Sequence, residues 1–308
     1  MIVCNRPCDR GQVCSPDSLI KSDTILALKS CLMTGRLLGR WEIIPCLFIK
    51  YYGGKNMALI HPQAESFLLT GHGDTACLFI HGFTASPSEV YPVARLVYEL
   101  TGCTVSGPLL PGHGTSPQDM NQTGWQDWFA RVEQEIDYLQ RKHTRVFLAG
   151  LSMGGLLALY AAGKRADLKG VIAINTPIYT SSPWLMAITP LLQYVRPYYS
   201  KKMDKAAEEL QTQGRFAYPV MPVKAFISMG QLRKLVMSEI PRLNLPILLF
   251  QSSQDESVDT RSAQFIKDKV VQAKVRLIEL RESGHIATMG QEKPIIAEEI
   301  SKFINIQA

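Results

Sequence analysis

The sequence predicts the α/β class: a mainly parallel sheet flanked by helices, with a small helical cap inserted at one edge. From Phe67 onward, short runs rich in Val, Ile, Leu and Phe recur, helical patterns separate them, and one long stretch, Pro177 to Leu245, interrupts the alternation. Continuous apolar runs are how strands read when helices cover both faces of a parallel sheet.

Taken in order, Ser66 to Thr70 and Ala76 to Ile80 flank Gly71-His72-Gly73-Asp74, a turn-rich link that predicts an antiparallel pair. Ser86 to Leu100 opens on Ser86-Pro87-Ser88-Glu89, residues suited to an N-cap and first turn, and predicts a helix. Thr104 to Ser106 reads as a strand. Trp125 to Leu139 sets Trp128, Val132, Ile136 and Leu139 at helical spacing. Strands at Arg145 to Leu148, Val171 to Ile174, Ile247 to Phe250 and Val275 to Leu280 extend the sheet, and Met153 to Lys164 reads as a helix. Pro177 to Leu245 holds no convincing strand but several proline-separated helical pieces, with Asp204 to Gln213 and Lys224 to Glu239 the clearest. An insertion after a strand, at the rim where open sheets bind ligands, predicts a lid. The expected organisation is a core of residues 57–176 and 246–308 and a helical cap of residues 177–245.

Residues 1–56 read differently. The first 55 residues hold eight Lys or Arg against four Asp or Glu, and five of the seven cysteines precede residue 50. Cys4 to Ser18 lacks periodicity, and only Ser22 to Leu32 offers a helical stripe, through Ile25, Leu26, Leu28 and Leu32. The expectation is a poorly structured or accessory extension outside the catalytic fold. A segment docked on a sheet edge, or an over-called start ahead of Met57, are the alternatives.

Composition narrows the function classes. With 46% apolar and 19% charged residues the chain is globular, neither disordered nor a disulfide scaffold. Most of the net charge of +6 lies in the first 55 residues, so the rest lacks the basic surface of a general nucleic-acid binder. An odd number of thiols, with no CxxC pair and no Cys/His cluster of zinc spacing, fits a reducing compartment and no metal. The apolar stretch Leu37 to Tyr52 is broken by Arg40, Glu42, Pro45 and Lys50, short of the ~20 residues that span a bilayer. A soluble, cytoplasmic protein with no nucleic-acid partner and no stable membrane insertion is expected.

The chemistry-bearing motif is Gly150-Leu151-Ser152-Met153-Gly154, a G-x-S-x-G between a predicted strand and a predicted helix. That context holds a serine on a strained turn, with the helix N-terminus behind it to favour a developing oxyanion. A serine nucleophile needs a base, and the base needs an orienting acid. Of six histidines only His285 follows the last strand, in Glu282-Ser283-Gly284-His285. The acid belongs after Ile247 to Phe250, which places Asp255 first, with Asp259 and Glu256 as rivals. His81-Gly82-Phe83-Thr84 follows another strand, and the backbone N–H groups of Phe83 and Met153 are the expected oxyanion hole. His81 and His113 are expected to be structural, and His72 and His143 to lie in surface loops.

Phe79-Ile80-His81-Gly82-Phe83-Thr84, Pro111-Gly112-His113-Gly114, Gly150 to Gly155, Gln254-Asp255-Glu256 and Ser283-Gly284-His285 together resemble the bacterial carboxylesterase and monoacylglycerol-lipase group of α/β-hydrolases. The resemblance runs from about Phe67 to Phe303 and includes Thr123-Gly124-Trp125 ahead of the helix before the serine. It implies an α/β-hydrolase fold, a Ser152, Asp255, His285 triad, and hydrolysis of small-molecule esters with short to medium acyl chains, or of monoacylglycerols, without a cofactor. Ile178, Tyr179, Trp184, Leu185 and Met186 are candidates for an acyl pocket under the cap. A thioesterase, a C–C bond hydrolase or an acyltransferase on the same triad, and a non-catalytic ligand-binding protein on this fold, are the alternative readings of this chain. An aspartate-nucleophile dehalogenase is disfavoured because the elbow carries serine.

Overall fold

The computed structural model describes residues 59–180, 195–201 and 205–307, all within the unit Asn56–Ala308. The expectations for residues 1–56, and for Trp184, Leu185 and Met186, lie outside the described residues.

Seven strands form one sheet in the order β1-β3-β2-β4-β5-β8-β9. They are β1 (Phe67–Leu69), β2 (Thr75–Ile80), β3 (Thr104–Gly107), β4 (Arg145–Leu151), β5 (Gly170–Ile174), β8 (Ile247–Ser252) and β9 (Val275–Leu280). All neighbours pair in parallel except β1 with β3. β2, β4 and β5 are buried almost throughout, as their unbroken apolar runs require. Ala76, Leu78 and Ile80 face one core, while Cys77 and Phe79 face the other.

The first core is closed by α2 (Trp125–Gln140), α3 (Met153–Lys164), α5 (Val223–Glu239) and α6 (Arg261–Lys269), which contribute Trp128, Leu156, Leu232 and Ile266. The second is closed by α1 (Tyr91–Thr101) and α7 (Lys293–Ile306), through Val93, Val97, Ile296 and Ile300. A short helix α4 (Lys205–Thr212) precedes α5. No helix among the described residues is long and apolar enough to cross a membrane.

Several sequence-based expectations differ from this architecture. β1 does not pair with β2: Phe67 opposes Gly107 of β3, because β3 takes the outer edge of β2 in parallel. The Gly71-His72 link instead crosses the start of β3, where Gly71 N donates to Thr104 Oγ1 and His72 N to Gly102 O. The Pro177 to Leu245 stretch does contain strands, β6 (Tyr198–Ser200) and β7 (Val220–Pro222), which form an antiparallel pair. Runs of three residues, each following a proline, are too short to show alternation. α5 is not separate from the core, since Ala225, Met229, Leu232 and Val236 share one buried cluster with α2 and α3.

Candidate active site

The described ends of β2, β4, β5, β8 and β9 converge on Ser152. It sits between β4 and α3 with φ 56° and ψ −117°, a conformation that a non-glycine residue adopts only when its surroundings enforce it. Here they do. A Cβ on Gly150 would lie 2.1 Å from Gly154 O, and one on Gly154 2.1 Å from Ile80 O, so both flanking positions admit only glycine. Ser152 N donates to Ile174 O at 2.8 Å, tying the elbow to β5.

His285 Nε2 lies 3.0 Å from Ser152 Oγ, and its Nδ1 lies 2.8 and 3.0 Å from the two oxygens of Asp255. An ionised carboxylate only accepts, so Nδ1 carries the proton and Nε2 is left to accept from the serine hydroxyl. Asp255 Oδ1 also accepts from Ser257 N at 2.9 Å and Val258 N at 2.8 Å, which fixes the carboxylate, and its side chain is fully buried. The two rival acids lie elsewhere: Asp259 pairs with the Arg261 guanidinium, and Glu256 accepts the backbone N–H of His285, not its ring.

Phe83 and Met153 both adjoin the elbow in sequence or space. The N–H groups of Met153 and Gly154 precede the first turn-closing bonds of α3, from Gly155 N and Leu156 N to Ser152 O. Gly82 packs so closely that a Cβ there would lie 3.4 Å from Ser152 Cβ. His81 Nδ1 donates to Gly82 O at 2.9 Å while its Nε2 accepts from Leu110 N at 3.2 Å. Because a peptide is planar and trans, fixing Gly82 O also aims the Phe83 N–H away from it. Burial drives the His81 pKa down, and that of His113 well down, which favours the neutral ring in both. His143 is not a surface residue: it is buried, with Nδ1 against Gly73 O at 3.3 Å, whereas His72 is exposed as expected.

The acyl-pocket candidates fare unevenly. Ile178 is wholly buried in the first core, and Tyr179 stacks edge-on against Phe265 with ring centroids 5.4 Å apart. The half-buried ring of Phe83 instead meets Phe226 of α5 at 5.9 Å and Trp128 at 6.1 Å, an apolar wall beside the elbow.

Two supporting residues escaped the sequence reading. Asn175, buried and at φ 46° just after β5, accepts from Ser252 N and donates through Nδ2 to Ser252 Oγ and His285 O at 2.9 and 2.8 Å. It binds the end of β8 to the loop bearing His285. A buried-side asparagine between an apolar strand and Pro177 was the available signal. Glu292 anchors the other end of that loop, accepting from Arg281 N, Glu282 N and Ser283 Oγ at 2.9, 3.0 and 2.7 Å. Burial opposes ionisation of Glu292, but these donors outweigh it and hold the carboxyl below its usual range. A depressed folded-state pKa contributes stability above the unfolded value, lost as pH falls through the folded one. Glu292→Gln is therefore expected to be less stable than wild type at neutral pH, with the gap in Tm closing below about pH 4. A gap that stayed constant from pH 7 to pH 3 would contradict this.

Residues 77–297 match the model of the alpha/beta hydrolase family. The chain is 31% identical to a thermostable monoacylglycerol lipase of Bacillus sp. (strain H-257) over 75% of its own length and 91% of that protein. It is 27% identical to a carboxylesterase of Bacillus subtilis (strain 168), over 80% of this chain and 98% of the other. A solved structure from work on LipS and LipT, two metagenome-derived lipolytic enzymes, superposes with a TM-score of 0.73 at 28% identity, covering 80% of this chain and all of that one. This chain belongs to the alpha/beta hydrolase family and is a hydrolase of the esterase and lipase type.

Proposed function

We propose that the chain is a serine hydrolase that cleaves carboxylic esters of short to medium acyl chains, monoacylglycerols among them, through an acyl-enzyme on Ser152. The observation that carries this reading is the unbroken hydrogen-bond chain from Ser152 Oγ through His285 to Asp255, mounted on a strained elbow.

In the proposed cycle His285 Nε2 takes the Ser152 proton as Oγ attacks the ester carbonyl. Asp255 keeps the ring in the required tautomer and stabilises the imidazolium. The Phe83 and Met153 N–H groups receive the oxyanion, where each well-aimed donor is worth roughly 10²–10³ in turnover. The imidazolium then protonates the departing alcohol, and water activated by the same nitrogen releases the acid. No step calls on a cofactor.

The Phe83–Phe226 pair beside the elbow supports an apolar acyl group as the recognised part of the substrate. In this reading residues 177–245 form the cap insertion, anchored to the core through Ile178, Tyr218 and the buried face of α5. The described cysteines, Cys77 and Cys103, are buried free thiols, which fits a reducing, cytoplasmic setting.

The test is an assay of p-nitrophenyl acetate through decanoate and of monoacylglycerols, with mass mapping of a fluorophosphonate adduct. Turnover that peaks at short or medium chains, with the adduct on Ser152, is the expected result. Absence of both turnover and adduct would favour a ligand-binding module. Activity on acyl thioesters alone would move the assignment to a thioesterase.

A further inference from the structure

The mechanism above leaves one fully buried carboxylate beside the elbow without a role. Glu89 Oε1 accepts from Gly82 N at 2.6 Å, and its Oε2 accepts from Arg215 Nε and Nη2 at 3.1 and 3.0 Å. The Glu89 side chain is 1% exposed and that of Arg215 15%. Thr288 Oγ1 donates to Glu89 O, which fixes the backbone from which the carboxylate projects. The sequence alone marks Glu89 only as a first-turn residue.

We propose that Glu89 is a positioning residue for the oxyanion hole: by holding Gly82 N it sets the loop from which Phe83 N–H reaches the reacting carbonyl, and Arg215 from the cap side makes that arrangement electrostatically tolerable. The inference rests on the serine-hydrolase reading and deepens it.

Gly82 is held on two sides, its N–H by Glu89 and its C=O by His81 Nδ1. Glycine has the widest backbone freedom of any residue, so an unheld Gly82 would let the next peptide plane swing. A Cβ on Gly82 would lie 2.8 Å from Glu89 Oε1, so a side chain there would push the carboxylate off Gly82 N. A charge-assisted bond to a buried carboxylate is the stronger way to fix it. A lone carboxylate so near a developing oxyanion would oppose the reaction, and leaving it unpaired in the interior is costly. Arg215 removes both objections.

The same stretch of chain braces the loop further on. Thr84 is held at φ 62°, its Oγ1 donates to Phe83 O at 2.5 Å and accepts from Lys201 Nζ, and Tyr218 N donates to Thr84 O at 2.9 Å. Phe216 N, one residue past Arg215, donates to Ser88 Oγ at 2.9 Å. Residues 201 and 215–218 thus grip both sides of the segment from Phe83 to Glu89.

The test compares two double variants that both remove the ion pair and differ in the acceptor offered to Gly82 N. Glu89→Gln with Arg215→Met keeps an amide oxygen there, and Glu89→Met with Arg215→Met does not. The methionine pair is expected to lose about 10- to 100-fold in kcat and in affinity for a trifluoromethyl ketone, whose adduct with serine is an oxyanion. Its KM for a p-nitrophenyl ester is expected to stay within about threefold, because ground-state binding does not use the hole. The glutamine pair, which offers Gly82 N a neutral acceptor in place of the carboxylate, is expected to recover most of that loss in kcat and in ketone affinity. Equal losses in both pairs, or a fall in Tm with kcat and inhibitor affinity intact, would overturn the assignment.

Should the methionine pair fail to fold, Glu89→Asp keeps a carboxylate for Arg215 and withdraws it from Gly82 by one methylene. The same kinetic signature is then expected, and an unchanged kcat overturns the proposal. A wild-type chain that the ketone does not inhibit would refute the serine-hydrolase reading itself, an outcome distinct from equal behaviour of the two pairs.

Discussion

Ser152→Ala is expected to reduce kcat on p-nitrophenyl esters by about 10⁴- to 10⁶-fold while leaving the chain folded. The size of the effect follows from what the hydroxyl does in the proposed cycle. It is the attacking atom, and no other hydroxyl is hydrogen-bonded to His285 Nε2 among the described residues. The effect on stability is expected to be small for equally local reasons. Alanine keeps the Cβ that the elbow already accommodates, so the strain at φ 56° is unchanged. The lost hydrogen bond frees only His285 Nε2, and that ring is partly exposed, so water can replace the serine. Tm within a few degrees of wild type, together with loss of both turnover and fluorophosphonate labelling, is the combined result to look for. Turnover at the wild-type level would remove Ser152 from the mechanism.

Much of this site was legible in the sequence because its parts lie at strand ends, and strand ends are where apolar runs stop. Ser152 and Asp255 each follow a run that is buried because a layer of helices covers it, and burial forces the composition that gives the run away, whereas β9 ahead of His285 is a half-buried edge strand in which only Leu280 is buried. Where local composition does not encode the outcome, the sequence was silent. β1 carries only three residues, and its partner was decided by β3 taking the edge of β2, a long-range event. The β6–β7 pair is equally short. Helix α5 reads as part of an insertion from its neighbours in sequence, yet its apolar positions fill a core built from α2 and α3.

Polar residues were harder still. Asn175 and Glu89 earn their roles from partners 77 and 126 residues away, Ser252 and Arg215, so spacing carries no trace of them. His143 looked like a loop residue because it lies in a charged turn, Arg141-Lys142-His143, but the turn folds its ring under Gly73. A buried polar group must find a partner, and the partner is set by topology, not by neighbours.

The choice among the three acids after β8 yields the second large effect. Asp255→Asn is expected to lower kcat by about 10⁴-fold, and Asp259→Asn by less than about threefold. The asymmetry is a matter of proton bookkeeping. The Asp255 carboxylate accepts from Ser257 N and Val258 N through Oδ1 and faces His285 Nδ1 through both oxygens. An asparagine there keeps its oxygen on the two backbone donors, which leaves its NH₂ group facing Nδ1. Two donors cannot share that contact, so the imidazole proton moves to Nε2. The ring then has no lone pair to offer Ser152 Oγ, 3.0 Å away, and the general base is lost although every side chain remains in place. Asp259 has no such link, because its oxygens face the Arg261 guanidinium at 2.6 to 3.0 Å on an exposed turn. Circular dichroism and KM close to wild type in Asp255→Asn are expected alongside the loss of kcat, since the fold and the acyl wall do not depend on that proton. A larger loss at Asp259 than at Asp255 would mean that the imidazole takes its orientation from a different carboxylate in the working enzyme.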